Sequence, residues 1–573
     1  MTSRLKLRIG QHSDRGRKPQ NQDCHGALIP REPQLSLKGA ALAMADGISS
    51  SSVSQVASAT AVQSFLDDYY CTSEAWSVRN AVERVLTATN SWLHAQTRNS
   101  EYRYDRDRGY VCTLSALVVK GATAHLFHVG DTRIYRVRGQ ALEQLTKDHR
   151  LWLSAEESYL SRALGIDEQL ELDYQALPVH PGDTFLIATD GVYEHADTRF
   201  MLDCLRDQAH DLDAAAQLIV GHALERGSSD NLSLQILCVD EVPGPEHRGL
   251  QLQVEELPLP PQPQAGLPLD GYRIVREIHA SSRSHVHLAE DLESGARVAL
   301  KTPSIDLGED PAYLERFMLE EWIARRINSV HVLKAAPATR PRSCLYTVSE
   351  YIEGRTLAQW LRDNPEPGLE KVRDFVGQIA LGLNAFHRME MLHQDLRPEN
   401  LMIDQQGTLK IIDFGSTRVA GILESGQGHE QPHLLGTALY SAPEYFLGEP
   451  GSTRSDLYSL AVIAYHMLSG RFPYGTDVPK ARTAAAQRRL QYRPLLDDER
   501  EIPSWIDETL KKALHPDPQK RYGELSEFVY DLRHPSQAFI DRTRPPLMER
   551  DPVRFWQGVS LSLVLVIVFM LLP

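Results

Sequence analysis

Six cysteines in 573 residues, at positions 24, 71, 112, 204, 238 and 344, form no Cys-x-x-Cys pair. Their scatter excludes a disulfide framework and reads as reduced, mostly buried thiols of a cytosolic protein. A basic excess is also missing. With 61 Lys and Arg against 76 Asp and Glu, the formal net charge is -15, which argues against a nucleic-acid partner and for an acidic surface. No internal repeat is visible, and the opening MTSRLKLRIGQHSDRG has no continuous apolar stretch of the kind a secretory leader needs. What is present is an ordinary globular balance, 42% hydrophobic and 24% charged. The length is too great for one core, so two or three domains are expected.

The long apolar run lies at the other end. After Arg550, Asp551 and Arg554 the chain reads FWQGVSLSLVLVIVFMLLP without a charge. As a helix, Phe555 to Leu572 would reach roughly 27 Å, near the hydrocarbon thickness of a thin bilayer. A buried amphipathic helix would need a polar face, which Val564 to Leu572 lacks. The expectation is a transmembrane tail anchor at 555–572. It would make the membrane a partner and, with the flanking arginines, hold the preceding domains in the cytoplasm. Residues 534–554 are then a polar juxtamembrane segment.

Residues 241–270 carry seven prolines and little periodicity, a semi-extended linker and the best domain boundary. Before it, short β-branched runs (113–119, 123–129, 133–137, 183–188, 232–239) alternate with turns, and helical patterns cover Val53–Tyr69 and Val78 to about Gln96. After it, three strand-like runs and a helix near 313–327 precede a mostly helical remainder. This predicts a multi-domain α+β chain: sheets covered by helices over 9–240, then a small strand-rich lobe and a larger helical lobe over 271–533.

In the first part, aspartates stand at strand ends: Asp46 after AALAMA, Asp131 in GDTR, Asp190 in TDG and Asp230 in SDN. A lone DG dipeptide is usually a turn. Several carboxylates delivered to one sheet edge, however, would repel one another unless they held hard cations. The ordered set SDRGRKPQNQD, MADG, CTLSALV, HVGDTRIYR, IATDGVYE and SSDNLSLQIL resembles the PPM-type (type 2C) metal-dependent protein Ser/Thr phosphatases. The resemblance implies a β-sandwich flanked by helices. Asp23, Asp46, Asp190 and Asp230 would hold two Mn²⁺ or Mg²⁺ ions, with Asp46 bridging and the Gly47 carbonyl contributing. Asp131, with Glu194, would hold a weaker third ion. Water activated between the cations would attack the phosphorus of phosphoserine or phosphothreonine with no phosphoenzyme. The chain departs from the family at its phosphate grip. The usual arginine is Lys18, with Arg17 adjacent, and a lysine lacks the bidentate fork. Gln22 replaces the usual acidic neighbour of Asp23, and serines 49–52 replace a Gly-Gly-His.

In the second part, HQDLRPEN (393–400), LKIIDFG, GTALYSAPE and SDLYSLAVIAYHMLSGRFPY follow in order. The set resembles the eukaryotic-like protein kinases, with their bilobal fold. The resemblance implies that Asp395 takes the proton of a substrate hydroxyl, Arg397 neutralises transferred-phosphate charge, and Asn400 and Asp413 hold Mg²⁺ on ATP. Lys301 would contact the α- and β-phosphates and pair with a helix glutamate. Of Glu320 and Glu321, the family's F-x-x-E spacing from Phe317 selects Glu320. Ile278, Val286, Ala299, Glu350, Ile352 and Met402 would complete the nucleotide site, and Glu444 would pair with Arg521. Two departures stand out. The family's G-x-G-x-x-G reads HASSRS (279–284), so Ser281, Ser282 and Arg283 stand where bare backbone usually covers phosphate. Gln394 replaces the arginine that usually grips a phosphorylated activation segment, whose hydroxyls here include Thr417, Ser425 and Thr437.

The leading expectation is a membrane-tethered bifunctional enzyme that phosphorylates Ser/Thr on proteins with Mg-ATP and removes phosphate from related sites. The linker would keep the two domains at high mutual concentration, so that the phosphatase resets kinase autophosphorylation within one chain. The alternative is a phosphatase whose kinase-like half senses nucleotide or docks partners.

Overall fold

The computed structural model describes residues 4–152, 158–243, 257–261, 264–281, 284–304, 307, 310–337, 340–424, 438–495, 502–537, 539–540 and 552–571. Over the first 241 residues two five-stranded antiparallel sheets face each other. One runs, in spatial order, Lys6–Asp14, Leu232–Glu241, Thr184–Ala188, Arg133–Arg138 and Ala141–Gln144. The other runs Asp173–Pro178, Thr123–Val129, Leu114–Lys120, Ala40–Asp46 and Asp23–Leu28.

Side-chain alternation explains why both faces are covered. In Ala40–Asp46 the large residues Leu42 and Met44 point between the sheets, where they meet Ile134, Phe185, Ile187 and Leu237. The small residues Ala41, Ala43 and Ala45 point outward and let the helices Ser54–Cys71 and Val78–Arg98 lie close. In the opposite sheet Phe185 and Ile187 face inward, while Leu186, Ala188, Leu234 and Ile236 meet the helix Leu212–Glu225. The result is a helix–sheet–sheet–helix sandwich whose sheet ends are free to present polar groups.

The remaining chain builds two lobes. Strands Pro268–Leu269, Tyr272–Ala280, Ser284–Asp291, Arg297–Pro303 and Thr347–Glu350 form an antiparallel sheet beside the helix Pro311–Arg326. The larger lobe is helical around Thr453–Ser469, which is buried along nearly its whole length and crosses Leu369–His387. Most of the proline-rich linker lies outside the described residues. Its end is anchored: Leu257 and Leu259 pack on Phe317, Met318 and Leu345, and the Pro258 carbonyl accepts from Leu345 N at 2.8 Å.

The C-terminal run requires a correction. A helix forms over Pro552–Leu571, yet among the described residues no helix is long and apolar enough to cross a membrane. Arg554, Gln557, Ser560 and Ser562 interrupt its first half. The uninterrupted apolar stretch from Leu563 to Leu572 would reach only about 15 Å as a helix, half of a bilayer core of about 30 Å. The transmembrane element of the expected fold, the membrane as a partner and the membrane-anchored localisation are all withdrawn on this ground.

Candidate active sites

Pairing of the strands brings the first carboxylates together. Asp23 opens its strand directly opposite Asp46, the last residue of its own. Asp190 starts a helical turn just past Ala188, Asp131 follows the strand ending at Val129, and Asp230 precedes the strand starting at Leu232. All five stand at one end of the sandwich. Asp46 N–H is held by Thr113 Oγ1 at 3.0 Å, and Thr189 Oγ1 donates to Asp23 Oδ2 at 3.0 Å. Gly47 needs its lack of a side chain, since a Cβ there would lie 2.8 Å from Ser54 Cβ and 2.9 Å from the Gln22 carbonyl oxygen.

Burial and crowding hold Asp23, Asp46 and Asp190 above the usual carboxylate range. Asp23 is pushed up to about 6 by burial, with Asp230 adding to it, against the hydrogen bonds it accepts. Asp190 is pushed up to about 7 by burial and by Asp131 and Asp230. Asp46 is held well above the usual carboxylate range, through burial and then the charges of Asp23, Asp190 and Asp131. Asp23 Oδ1 is buried without a hydrogen-bond partner. Hard oxygen donors in mutual repulsion, one of them orphaned, suit divalent cations.

Among the described residues no three His, Cys, Asp or Glu side chains close on a single point as a metal group does. Arg150 occupies one side of the cluster: its guanidinium binds Asp131, Asp190 at 2.8 Å and Glu194 at 3.2 Å. Sequence reasoning missed Arg150. It lies in TKDHR with no periodicity or spacing to mark it. Of the two basic candidates, Lys18 reaches the cluster, with Nζ 3.2 Å from Asp230 Oδ1 and bonded to Ser49 Oγ at 3.0 Å, whereas Arg17 is exposed.

The second cleft lies between the two lobes and encloses about 2110 Å³. Lys301 Nζ donates to Glu320 Oε2 at 2.5 Å. Glu321, one residue on, turns away to Arg325 and to Arg342 NH1 at 2.7 Å. Burial pushes Glu320 up to about 7, with Lys301 opposing and Asp413 reinforcing the shift. Burial would also raise Asp413, but Lys301 and the Gly415 N–H, bonded to its Oδ1 at 3.0 Å, hold it below the usual range. Asp395 is raised by burial despite Arg397, whose Nε lies 3.8 Å from Asp395 Oδ2. Asn400 Nδ2 donates to the Asp395 carbonyl at 2.9 Å and to its Oδ2 at 3.1 Å. Ile278, Val286, Ala299, Glu350, Ile352 and Met402 line the same cleft.

Behind the cleft, Phe414 is buried against Phe386 and His393, with ring centroids 5.4 and 6.5 Å away. The backbone N–H groups of His393 and Gln394 both donate to the buried Asp456 at 3.0 Å, which fixes the loop that carries Asp395. Arg521 and Glu444 form a buried two-bond pair at 2.8 and 2.7 Å. Where glycines are missing, Ser281 Oγ and N–H both turn back to the Ser284 carbonyl, at 3.1 and 3.0 Å. Ser282, Arg283, Ser425 and Thr437 lie outside the described residues.

Residues 11–225 match the family described as Protein phosphatase 2C, and residues 272–531 the family described as Protein kinase domain. The serine/threonine-protein kinase PknB of Mycolicibacterium smegmatis is 31% identical over 270 residues, which cover 46% of this chain and 42% of PknB. PrkC of Bacillus subtilis is 26% identical over 270 residues, covering 46% and 40%. The chain thus spans about two fifths of the length of these curated relatives. Among solved structures, PppA of Pseudomonas aeruginosa shares 26% identity over 42% of this chain and 99% of its own, with a TM-score of 0.34. The chain therefore joins a PPM-type (type 2C) phosphatase domain to a eukaryotic-like Ser/Thr protein kinase domain.

Proposed function

We propose that the chain is a bifunctional enzyme of reversible protein phosphorylation, a Mg-ATP-dependent Ser/Thr kinase and a Mn²⁺- or Mg²⁺-dependent Ser/Thr phosphatase. The carrying observation is that Lys301, Glu320, Asp395, Asn400 and Asp413 share one cleft although the phosphate-covering glycines are gone. Those glycines shape the cover over the nucleotide, while the five side chains supply charge and proton transfer. Lys301, fixed by Glu320, binds the α- and β-phosphates. Asp395 orients the acceptor hydroxyl and takes its proton as the substrate oxygen bonds to the γ-phosphorus and the bond to the ADP oxygen breaks. Arg397 balances charge on the phosphoryl group in flight. Asn400 and Asp413 are the residues that would hold Mg²⁺.

In the phosphatase half, Asp23, Asp46, Asp190 and Asp230 are the residues that would hold the ions, with Gly47 presenting its carbonyl and Asp131 and Glu194 at a third position. Bound divalent cations supply acidified water and charge neutralisation at the phosphoryl group. Lys18, already beside Asp230, binds the phosphate oxygens, and Arg17 adds positive charge at the entrance. The protein substrates carry Ser, Thr or their phosphorylated forms.

The test is the full chain with labelled ATP, Mg²⁺, Mn²⁺ and a generic protein acceptor, as wild type, Asp46→Ala and Asp395→Ala. Phosphate should accumulate most in Asp46→Ala and be absent in Asp395→Ala. Equal labelling by wild type and Asp395→Ala would remove the kinase, and equal release of phosphate by wild type and Asp46→Ala would remove the phosphatase.

A further inference from the structure

The two halves are joined by more than the linker. The loop between the phosphatase helices, Thr72–Ser77, is seated on the kinase. Ala75 is fully buried within the kinase core, and its carbonyl accepts from Gly421 N–H at 2.9 Å. Trp76 Nε1 donates to the Arg388 carbonyl at 3.0 Å, and Ser77 N–H donates to Glu390 Oε2 at 2.7 Å. Val78 N–H donates to Glu424 Oε2 at 2.8 Å. Lys120, buried at the end of its strand, reaches the Gly421 carbonyl and lies 3.5 Å from Glu424. Glu74 pairs with Arg326, the last residue of the helix that carries Glu320.

These contacts fall on two parts of the kinase site. Arg418–Glu424 is the stretch just past Asp413–Gly415, and Pro311–Arg326 is the helix whose Glu320 meets Lys301. The linker holds the other face of that helix through Leu257 and Leu259. The residue that would ordinarily tie a phosphorylated activation segment to the catalytic loop is Gln394, which has no charge to do so. Gly421 is fitted to the contact. Any Cβ there would press on the backbone of the docked loop, lying 2.7 Å from the Trp76 carbonyl oxygen and nearer still to that of Glu74. The docking end of the phosphatase is also far from its carboxylates. Val119 pairs with Ala40, and Asp46 lies at the opposite end of that same strand, roughly 20 Å away at about 3.3 Å per residue.

We propose that the phosphatase domain serves, independently of its own chemistry, as the built-in partner that braces the kinase: the loop Thr72–Ser77, with Lys120 and Glu74, holds the start of the activation segment and the Glu320 helix in the paired arrangement. The brace replaces an arginine–phosphate clamp with a protein–protein contact. The consequence for activity rests on the kinase reading above; the contact itself does not.

The test uses the full chain, with Asp46→Ala in every arm to silence phosphate removal, and compares Glu74→Arg, Arg326→Glu and the double charge reversal. Two readouts are taken: amide exchange over 311–326 and 418–424, and labelled phosphate transfer. Each single reversal should speed exchange in both segments and lower transfer about fivefold or more, and the double reversal should restore both. Gly421→Val, which disturbs the contact by shape, should behave like the single reversals. Exchange in the single variants and Gly421→Val equal to that of the parent chain overturns the brace. Faster exchange with transfer unchanged overturns its effect on activity. A parent chain that transfers no phosphate instead removes the kinase reading, and exchange alone then decides the contact.

Discussion

Lys301 Nζ lies 2.5 Å from Glu320 Oε2, while Glu321 on the same helix is taken up by Arg325 and Arg342. Adjacent helix residues point about 100° apart, so only Glu320 meets Lys301, although both glutamates border the cleft. Replacing Glu320 by Ala should therefore lower phosphate transfer about 10²-fold, in the range found when a preorganised electrostatic contact is removed, with little change in melting temperature. Glu321→Ala should do the reverse, leaving transfer within about twofold but removing ~1–3 kcal/mol of stability, since two arginines lose their buried partner. Radiolabel transfer and thermal unfolding of the two variants side by side separate these outcomes.

The serines that stand where the resemblance places glycines make a second prediction. His279 is exposed and Ser281 bonds back to the Ser284 carbonyl, so side chains stand where the family leaves bare backbone. Changing both His279 and Ser281 to Gly should lower the KM for ATP about threefold, ~0.7 kcal/mol, and leave kcat within twofold. A fall in kcat with unchanged KM would show that the serines act on the transferred group rather than on nucleotide cover.

Arg150 binds Asp131, Asp190 and Glu194, carboxylates that the proposed function assigns to divalent ions. Arg150→Met should destabilise the metal-free chain by ~1–3 kcal/mol, because Asp131 and Asp190 would stay crowded with no counter-charge. It should also tighten Mn²⁺ binding at Asp131, Asp190 and Glu194 about tenfold, since no cation must be displaced. Calorimetric titration of wild type and variant with Mn²⁺ measures the second effect directly. Equal affinities would place the ions away from Arg150.

The legible features were those carried by short contiguous motifs. Asp46, Asp190, Asp395 and Asp413 each sit where an apolar strand ends in a polar turn, and that pattern is local. The choice of Glu320 over Glu321 came from the resemblance, through the family's F-x-x-E spacing from Phe317, which is a contiguous motif too. Arg150 was not, because its role comes from a short strand, Arg150–Trp152, set beside three carboxylates distant in sequence. The seat of Ala75 in the kinase core was hidden for the same reason: TSEAWS reads as a turn between helices, and nothing in it points to residues more than three hundred positions away. The C-terminal helix was misjudged by its lack of charge. Gln557, Ser560 and Ser562 carry no charge, but they shorten the apolar run to half of what crossing a bilayer requires.

The crowded aspartates fix the sign of a pH dependence. Asp23 and Asp190 are held near 6 and 7 in the folded, metal-free chain, against an unfolded value near 3.9. The folded state thus binds protons that the unfolded state has released. The contribution is fully present below about pH 4 and is lost as pH rises through 6 and 7. In EDTA, the melting temperature of the phosphatase transition should fall between pH 5 and pH 8. Mn²⁺ reverses the trend, because cations stabilise the ionised carboxylates, so the rise in melting temperature on adding Mn²⁺ should be several degrees larger at pH 8 than at pH 5. Asp190→Asn, neutral at every pH, should flatten the slope in EDTA. A slope unchanged by that substitution would assign the pH dependence to groups outside the cluster.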